Sequence, residues 1–227
     1  MLFPELGARV AQVRGCITAA ARRGGRVSNV TIVAVTKTHG SDAPRAAWEA
    51  GIADVGENKV QEAIGKMKDA SAPLRWHLIG HLQRNKVSSL ESFSLFHALD
   101  SSRLADAIDR FGSERGSPVP VLLQVNASGE GTKGGFAPLA VPAEAARLAG
   151  MRGLTVRGAM TMARLDAGEH ELRDTFAAAR TARQALADEG HPATELSMGM
   201  SNDYEIAVEE GATLVRLGSV LFGARGT

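Results

Sequence analysis

Several short stretches of this 227-residue sequence put reactive or ligand-binding side chains where the backbone changes direction. The first is Thr31-Ile-Val-Ala-Val-Thr-Lys37-Thr-His-Gly40. Ile32 to Val35 form an apolar, β-branched run, which reads as a buried strand ending at Thr36 and Lys37. A lysine there has its stem in apolar surroundings and its amine at the strand mouth. Burial disfavours the charged form, so such an amine can act as a nucleophile. Taken alone, it reads more simply as a lysine snorkelling to water. Two further stretches change that balance. Ser197-Met-Gly199-Met-Ser201-Asn-Asp203 is a glycine turn opening into a helix at a cap-type serine, and Val215-Arg216-Leu-Gly218-Ser219 runs from a strand through glycine into another helix start. Unpaired N–H groups at such places favour anions, so Ser201, Gly218 and Ser219 read as a phosphate cup; the alternative is plain helix capping.

A phosphate cup facing a buried lysine suits two chemistries. One is a Schiff-base aldolase acting on a sugar phosphate. The other is pyridoxal 5'-phosphate (PLP), which carries both an aldehyde for the amine and a phosphate for the cup. Arg216 favours PLP: a guanidinium only donates and stays charged, so beside a pyridine nitrogen it would keep that nitrogen unprotonated. Two other patterns carry less. Gly129-Glu-Gly131-Thr-Lys-Gly134 matches G-x-G-x-x-G, but Phe136 and Pro138 delay the helix, so a βα loop is expected rather than a dinucleotide site. His77 and His81 have i, i+4 spacing but straddle Gly80 at a strand end, so they do not form a metal pair. His77 is left as a ligand neighbour or a satisfied core histidine. Lys59, Lys86 and Lys133 read as solvated charges.

The elements that must position these residues follow from periodicity. Leu6, Val10, Val13 and Ile17 mark an amphipathic helix over about 4–23, stopped by Arg22-Arg23-Gly24-Gly25. Strands are expected at 31–37, 54–58, 74–79, 95–99, 119–125, 154–160, 195–198 and 213–217, with those at 54–58 and 195–198 the weakest signals. Helices fill the intervals, including one over 59–68 with Val60, Ile64 and Met67 on one face and a long one through Leu172, Phe176, Ala179, Arg183 and Leu186. Strict alternation means a parallel sheet covered by helices, and eight units in this length fit a single closed (β/α)8 barrel, with an open doubly wound sheet as the runner-up. The whole chain, 1–227, reads as one domain, with 1–24 the extra N-terminal helix and 30–227 the barrel. In such a barrel the active groups lie at the strand C-terminal ends.

Composition agrees. Hydrophobic residues are 44% and charged residues 22%, and 26 Lys and Arg nearly balance 25 Asp and Glu. That is an ordinary soluble globular profile, with no pull toward nucleic acid or a membrane surface. The start lacks a signal-peptide pattern and no apolar run is long enough to span a bilayer. The lone Cys16 reads as a buried small hydrophobe, and the cytoplasm is the expected compartment.

Ala34-Val-Thr-Lys37-Thr, Gly56-Glu-Asn58-Lys-Val-Gln-Glu62, Trp76-His-Leu-Ile-Gly80-His-Leu-Gln-Arg-Asn-Lys86, Gln124-Val-Asn126, Lys133-Gly-Gly-Phe136, Leu196-Ser-Met-Gly-Met-Ser201-Asn-Asp203 and Val215-Arg-Leu-Gly-Ser219-Val-Leu-Phe-Gly223 together resemble the PLP homeostasis proteins, the YggS/PROSC type. The resemblance covers nearly the whole chain. It implies a barrel of the alanine-racemase N-terminal type (fold type III), with PLP as an internal aldimine on Lys37. By the same match Asn58, His77 and Met198 would line the cofactor, Ser201, Gly218 and Ser219 would bind its phosphate, and Arg216 would face the ring nitrogen. His39-Gly40 stands where the family often has Lys-Pro, and Lys59 where it often has tyrosine. The resemblance further implies a monomeric carrier or regulator of PLP without robust catalysis, affecting amino-acid and keto-acid pools, with PLP-dependent apo-enzymes as recipients. The alternative is a PLP-dependent amino-acid racemase. Two-base racemisation needs a second acid or base opposite the lysine, which alanine racemase takes from a tyrosine on another domain. The single tyrosine, Tyr204, is expected on the helix after strand seven, and a chain ending at Thr227 has no room for that domain. That favours the carrier.

Overall fold

A computed structural model describes residues 3–26, 29–127 and 134–223. Among them, eight parallel strands close into a barrel in sequence order: β1 (Thr31–Val35), β2 (Asp54–Glu57), β3 (Arg75–Leu78), β4 (Leu95–Leu99), β5 (Val119–Gln124), β6 (Leu154–Met160), β7 (Glu195–Ser197) and β8 (Leu214–Leu217). Closure is made by β8 pairing with β1, with Ile32 opposite Val215 and Val33 opposite Arg216. The open sheet is therefore excluded, and the two weakest expected strands, β2 and β7, are both present. The strands are short and apolar because both faces are covered, one by helices and the other by the barrel interior.

Helices α1 (Leu6–Arg23), α2 (Asp42–Glu49), α3 (Val60–Asp69), α4 (Ser102–Glu114), α5 (Val141–Ala149), α6 (Glu169–Asp188), α7 (Tyr204–Glu209) and α8 (Ser219–Phe222) surround the barrel, and a 3-10 helix over Arg84–Ser92 replaces the α-helix expected after β3. The N-terminal helix α1 buries Leu6, Val10, Val13 and Ile17, the stripe read from sequence. It packs on α7 and α8, and Arg23 pairs there with Glu205 and Glu209 at 2.9 and 2.6 Å. Cys16 is half-buried rather than buried.

One helix faces differently from its apolar pattern. In α3 the buried residues are Val60, Ala63 and Lys66, while Ile64 and Met67 are only partly covered. A lysine takes the inward position because ionic partners wait for it there, as described below. No helix among the described residues is long and apolar enough to cross a membrane.

Candidate functional site

The strand C-terminal ends surround a cavity of about 920 Å³, within the range of small-molecule sites. Lys37, Asn58, Ser201, Arg216, Gly218 and Ser219 all line it. These residues come from loops after β1, β2 and β7 and from the β8–α8 junction, so the closed barrel is what brings them together. Gly129, Gly131 and Lys133 of the loop after β5 lie outside the described residues. Lys59 is exposed, as expected of a solvated charge, whereas Lys86 is half-buried.

The cup is built differently from a helix cap. Ser201 sits in a turn before α7, whose N-cap is Asp203. The Ser201 hydroxyl instead accepts the N–H groups of Gly218 and Val220, both at 3.3 Å. It thus spans from the β7 loop to the start of α8. Asp203 holds the turn by accepting the Met200 N–H at 2.5 Å. Gly199, at φ +90°, permits the turn: a Cβ there would lie 2.6 Å from Cβ of Ala207. Across the mouth, a Cβ on Gly80 would lie 2.3 Å from the carbonyl oxygen of Asn58, so only glycine lets the β2 and β3 loops touch.

Arg216 lies buried at the cavity floor. Its Nη1 donates to Ser197 Oγ at 2.6 Å and its Nη2 to the Thr161 carbonyl at 2.9 Å. Burial pulls its pKa down to about 10, partly opposed by Asp203, and it stays a cation at neutral pH. Its contacts continue as a buried chain through the barrel interior. Ser197 Oγ meets His97 Nδ1 at 2.9 Å, His97 Nε2 meets His77 Nδ1 at 2.8 Å, and His77 Nε2 meets Asp54 Oδ1 at 3.0 Å. Arg216 can only donate and the Asp54 carboxylate only accept, an order that the Ser197 proton on His97 Nδ1 and a proton on Nε2 of each ring satisfy with every group paired. Burial first, then His77 and Arg216, holds His97 well below the ordinary histidine range. Burial alone would raise Asp54, but hydrogen bonds from His77 and Arg75 bring it below its usual value.

Two residues expected at the site are placed away from the cavity. His77 does not line the cavity; its ring turns toward the strand N-terminal ends, where it lines a smaller hollow with Asp54 and Arg75. Met198 does not line it either. Met198 is fully buried, one residue past Ser197, whose hydroxyl meets Arg216 and His97. His77 is a satisfied core histidine, the other placement its sequence position allows. His81, by contrast, lines the cavity and bonds Asp100 at 2.7 Å. No metal-binding group of His, Cys, Asp and Glu occurs among the described residues.

A second buried cluster underlies Lys37 and was not read from sequence. Lys66 Nζ bonds the Thr36 carbonyl at 2.7 Å, Glu57 Oε1 at 2.7 Å and Glu62 Oε1 at 2.8 Å. The i, i+4 spacing of Glu62 and Lys66 was the available signal, but that spacing is common on solvated faces. Burial raises the pKa of Glu57 despite its bonds to Lys66 and Thr36.

Residues 17–226 match the family model described as alanine racemase, N-terminal domain, which defines the class of this barrel. The pyridoxal phosphate homeostasis protein of Pseudomonas aeruginosa is 40% identical over 219 residues, covering 95% of this chain and 94% of that one. The solved structure of PipY from Synechococcus elongatus, with PLP bound, is 36% identical with a TM-score of 0.83, covering 96% of this chain and 100% of that chain. An alanine racemase of Clostridium difficile shares the fold at a TM-score of 0.71 but only 15% identity, covering 94% of this chain and 57% of that chain. The chain belongs to the pyridoxal phosphate homeostasis protein family within that class.

Proposed function

We propose that this chain binds pyridoxal 5'-phosphate in the barrel mouth, tethered to Lys37, and serves PLP homeostasis and amino-acid and keto-acid balance. One observation carries the reading. Lys37, the buried cation Arg216 and the Ser201–Gly218–Ser219 junction line one cavity, a donor set that matches an aldehyde, a pyridine nitrogen and a phosphate. When bound, PLP supplies an aldehyde carbon for the lysine amine and an electron-withdrawing ring. Ser201, Gly218 and Ser219 would take the phosphate, and Asn58 would border the ring. Arg216 would face the ring nitrogen. A donor-only group fixed by Ser197 and Thr161 would keep that nitrogen unprotonated, which would weaken the ring as an electron sink and suit a holder.

A PLP-dependent racemase is the second reading. It requires an acid or base facing Lys37 across the ring. Tyr204 does not line the cavity. It is buried on α7, where its pKa is raised by burial and by its contact with the Cys16 thiol of α1. The carrier reading also takes 1–227 as one domain acting as a monomer in the cytoplasm, with PLP-dependent apo-enzymes as recipients; the lone cysteine and the absence of a spanning helix among the described residues support that setting.

The test is optical and chemical. The purified protein incubated with PLP should be yellow, and borohydride should fix the phosphopyridoxyl mass on the peptide containing Lys37. Lys37→Ala should retain some PLP through the cup yet yield no borohydride-fixed label. A protein that stays colourless and unlabelled in added PLP refutes the reading. Robust exchange of the α-proton of alanine or serine, with racemisation, would replace the carrier by the enzyme.

A further inference from the structure

Thr38, directly after Lys37, has φ +68°, the only left-handed non-glycine backbone among the described residues. A β-branched residue resists that conformation. Something must hold it, and the bonds that do so converge on Lys66. The Thr38 N–H donates to Glu62 Oε1 at 2.9 Å, and the same oxygen accepts from Lys66. On the other side of Lys37, the Thr36 hydroxyl donates to Glu57 Oε1 at 2.5 Å, and the Thr36 carbonyl accepts from Lys66. An ammonium has three N–H donors, and these three acceptors match them: the Thr36 carbonyl, Glu57 and Glu62. The cluster is buried, with the Lys66 side chain 7% exposed and that of Glu57 fully covered. Glu57 Oε2 is buried without a hydrogen bond among the described residues.

We propose that Lys66, with Glu57 and Glu62, is a positioning clamp that grips the backbone on both sides of Lys37, holds Thr38 left-handed, and thereby aims the Lys37 amine into the cavity. Lys66 is a positioning residue: it acts through Thr36 and Thr38 and does not line the cavity. The inference rests on the PLP reading only for the identity of the compound that Lys37 meets.

Lys66→Met tests it with two probes. PLP reports covalent loading of Lys37, followed by borohydride fixation and mass mapping. Pyridoxamine 5'-phosphate has the same phosphate and ring but no aldehyde, so it reports binding without the lysine. The clamp predicts that Lys66→Met slows loading by roughly 10–100-fold, the usual cost of misplacing a reacting group by about 1 Å. Pyridoxamine 5'-phosphate affinity should stay within about twofold of wild type. Amide exchange over 36–39 should accelerate by roughly tenfold or more, because Thr38 loses its anchored acceptor. The double variant Lys66→Met/Thr38→Gly should recover part of the loading rate, since glycine adopts φ +68° without strain; a general packing defect would not be rescued this way. Should Lys66→Met fail to fold, Glu62→Ala removes the Thr38 acceptor and leaves the Lys66–Glu57 pair in place. Loading at the wild-type rate, or no recovery with Thr38→Gly, overturns the clamp. If wild type takes up neither compound, the PLP reading fails, and unchanged amide exchange over 36–39 in the variants then overturns the clamp separately.

Discussion

Replacing His97 by leucine tests the buried chain that runs from Arg216 to Asp54. Leucine fills a similar volume but removes both ring nitrogens. His77 Nδ1 then loses its donor and the Ser197 hydroxyl proton loses its acceptor. The damage stops there, because Ser197 keeps the Arg216 bond at 2.6 Å and Asp54 keeps the His77 bond at 3.0 Å. Each buried group left without a partner costs about 1–3 kcal/mol, so His97→Leu should lose about 2–6 kcal/mol of stability. For a protein of this size that lowers Tm by about 2–4 °C per kcal/mol. Urea and thermal unfolding measure both quantities. Adding His77→Leu removes one of the orphaned groups, so the double variant should cost clearly less than the sum of the two single changes. The pH dependence provides a second readout. Folded His97 stays neutral well below its ordinary range, whereas the unfolded chain takes up that proton near pH 6.5. As pH falls below about 6.5 the unfolded state binds more protons, so this residue removes stability there, by up to about 1.4 kcal/mol per pH unit. His97→Leu should flatten the wild-type slope by that amount between about pH 6 and 5. A variant as stable as wild type, strict additivity with His77→Leu, or an unchanged pH profile would each refute the directional chain.

Two further outcomes follow from the cavity walls. Ser201→Ala removes the hydroxyl that joins the β7 loop to the Gly218 and Val220 N–H groups; PLP affinity should fall by about tenfold, since one hydrogen bond is worth about 1 kcal/mol and more toward a charged group. Equilibrium dialysis measures this, and unchanged affinity would remove Ser201 from the cup. Gly80→Ala pushes a methyl to 2.3 Å from the Asn58 carbonyl oxygen. Stability should drop by about 1–3 kcal/mol from overpacking, read as the shift of the urea midpoint; a neutral result would mean that the β2 and β3 loops separate freely.

Much of the frame was legible in the sequence because strand–helix alternation is a local signal repeated along the chain. The apolar runs at β1, β4, β5 and β6 and the stripe of α1 each declare themselves within a few residues. The expected site residues that line the cavity, Lys37, Asn58, Ser201, Arg216, Gly218 and Ser219, all sit at strand ends, where the barrel's geometry assigns one face. The failures share a different cause. His77 and Met198 depend on which way a side chain points within its layer, and a one-residue alternation decides it. Only the bonds of Ser197 to His97 and Arg216, both distant in sequence, show which way that layer faces. Lys66 was not singled out, and for the opposite reason. Hydrophobic periodicity places a charge outside by default, and the partners that reverse this, Glu57 and the Thr36 carbonyl, come from other elements. Buried polar clusters are held together by long-range contacts, and a pattern over one helix carries no record of them.

The meeting of β1 with β8 has a consequence for how the protein is made. Lys37 leaves the first strand and Arg216, Gly218 and Ser219 belong to the last, and these strands pair directly, Val33 beside Arg216. A ribosome emitting this chain releases the lysine long before its facing groups. Until β8 emerges, the first strand has an unpaired edge, and the amine has neither floor nor cup opposite it. Closing so long a loop is entropically slow, so the pocket forms only once β8 has paired with β1. A truncated or stalled chain would expose the lysine without forming the pocket.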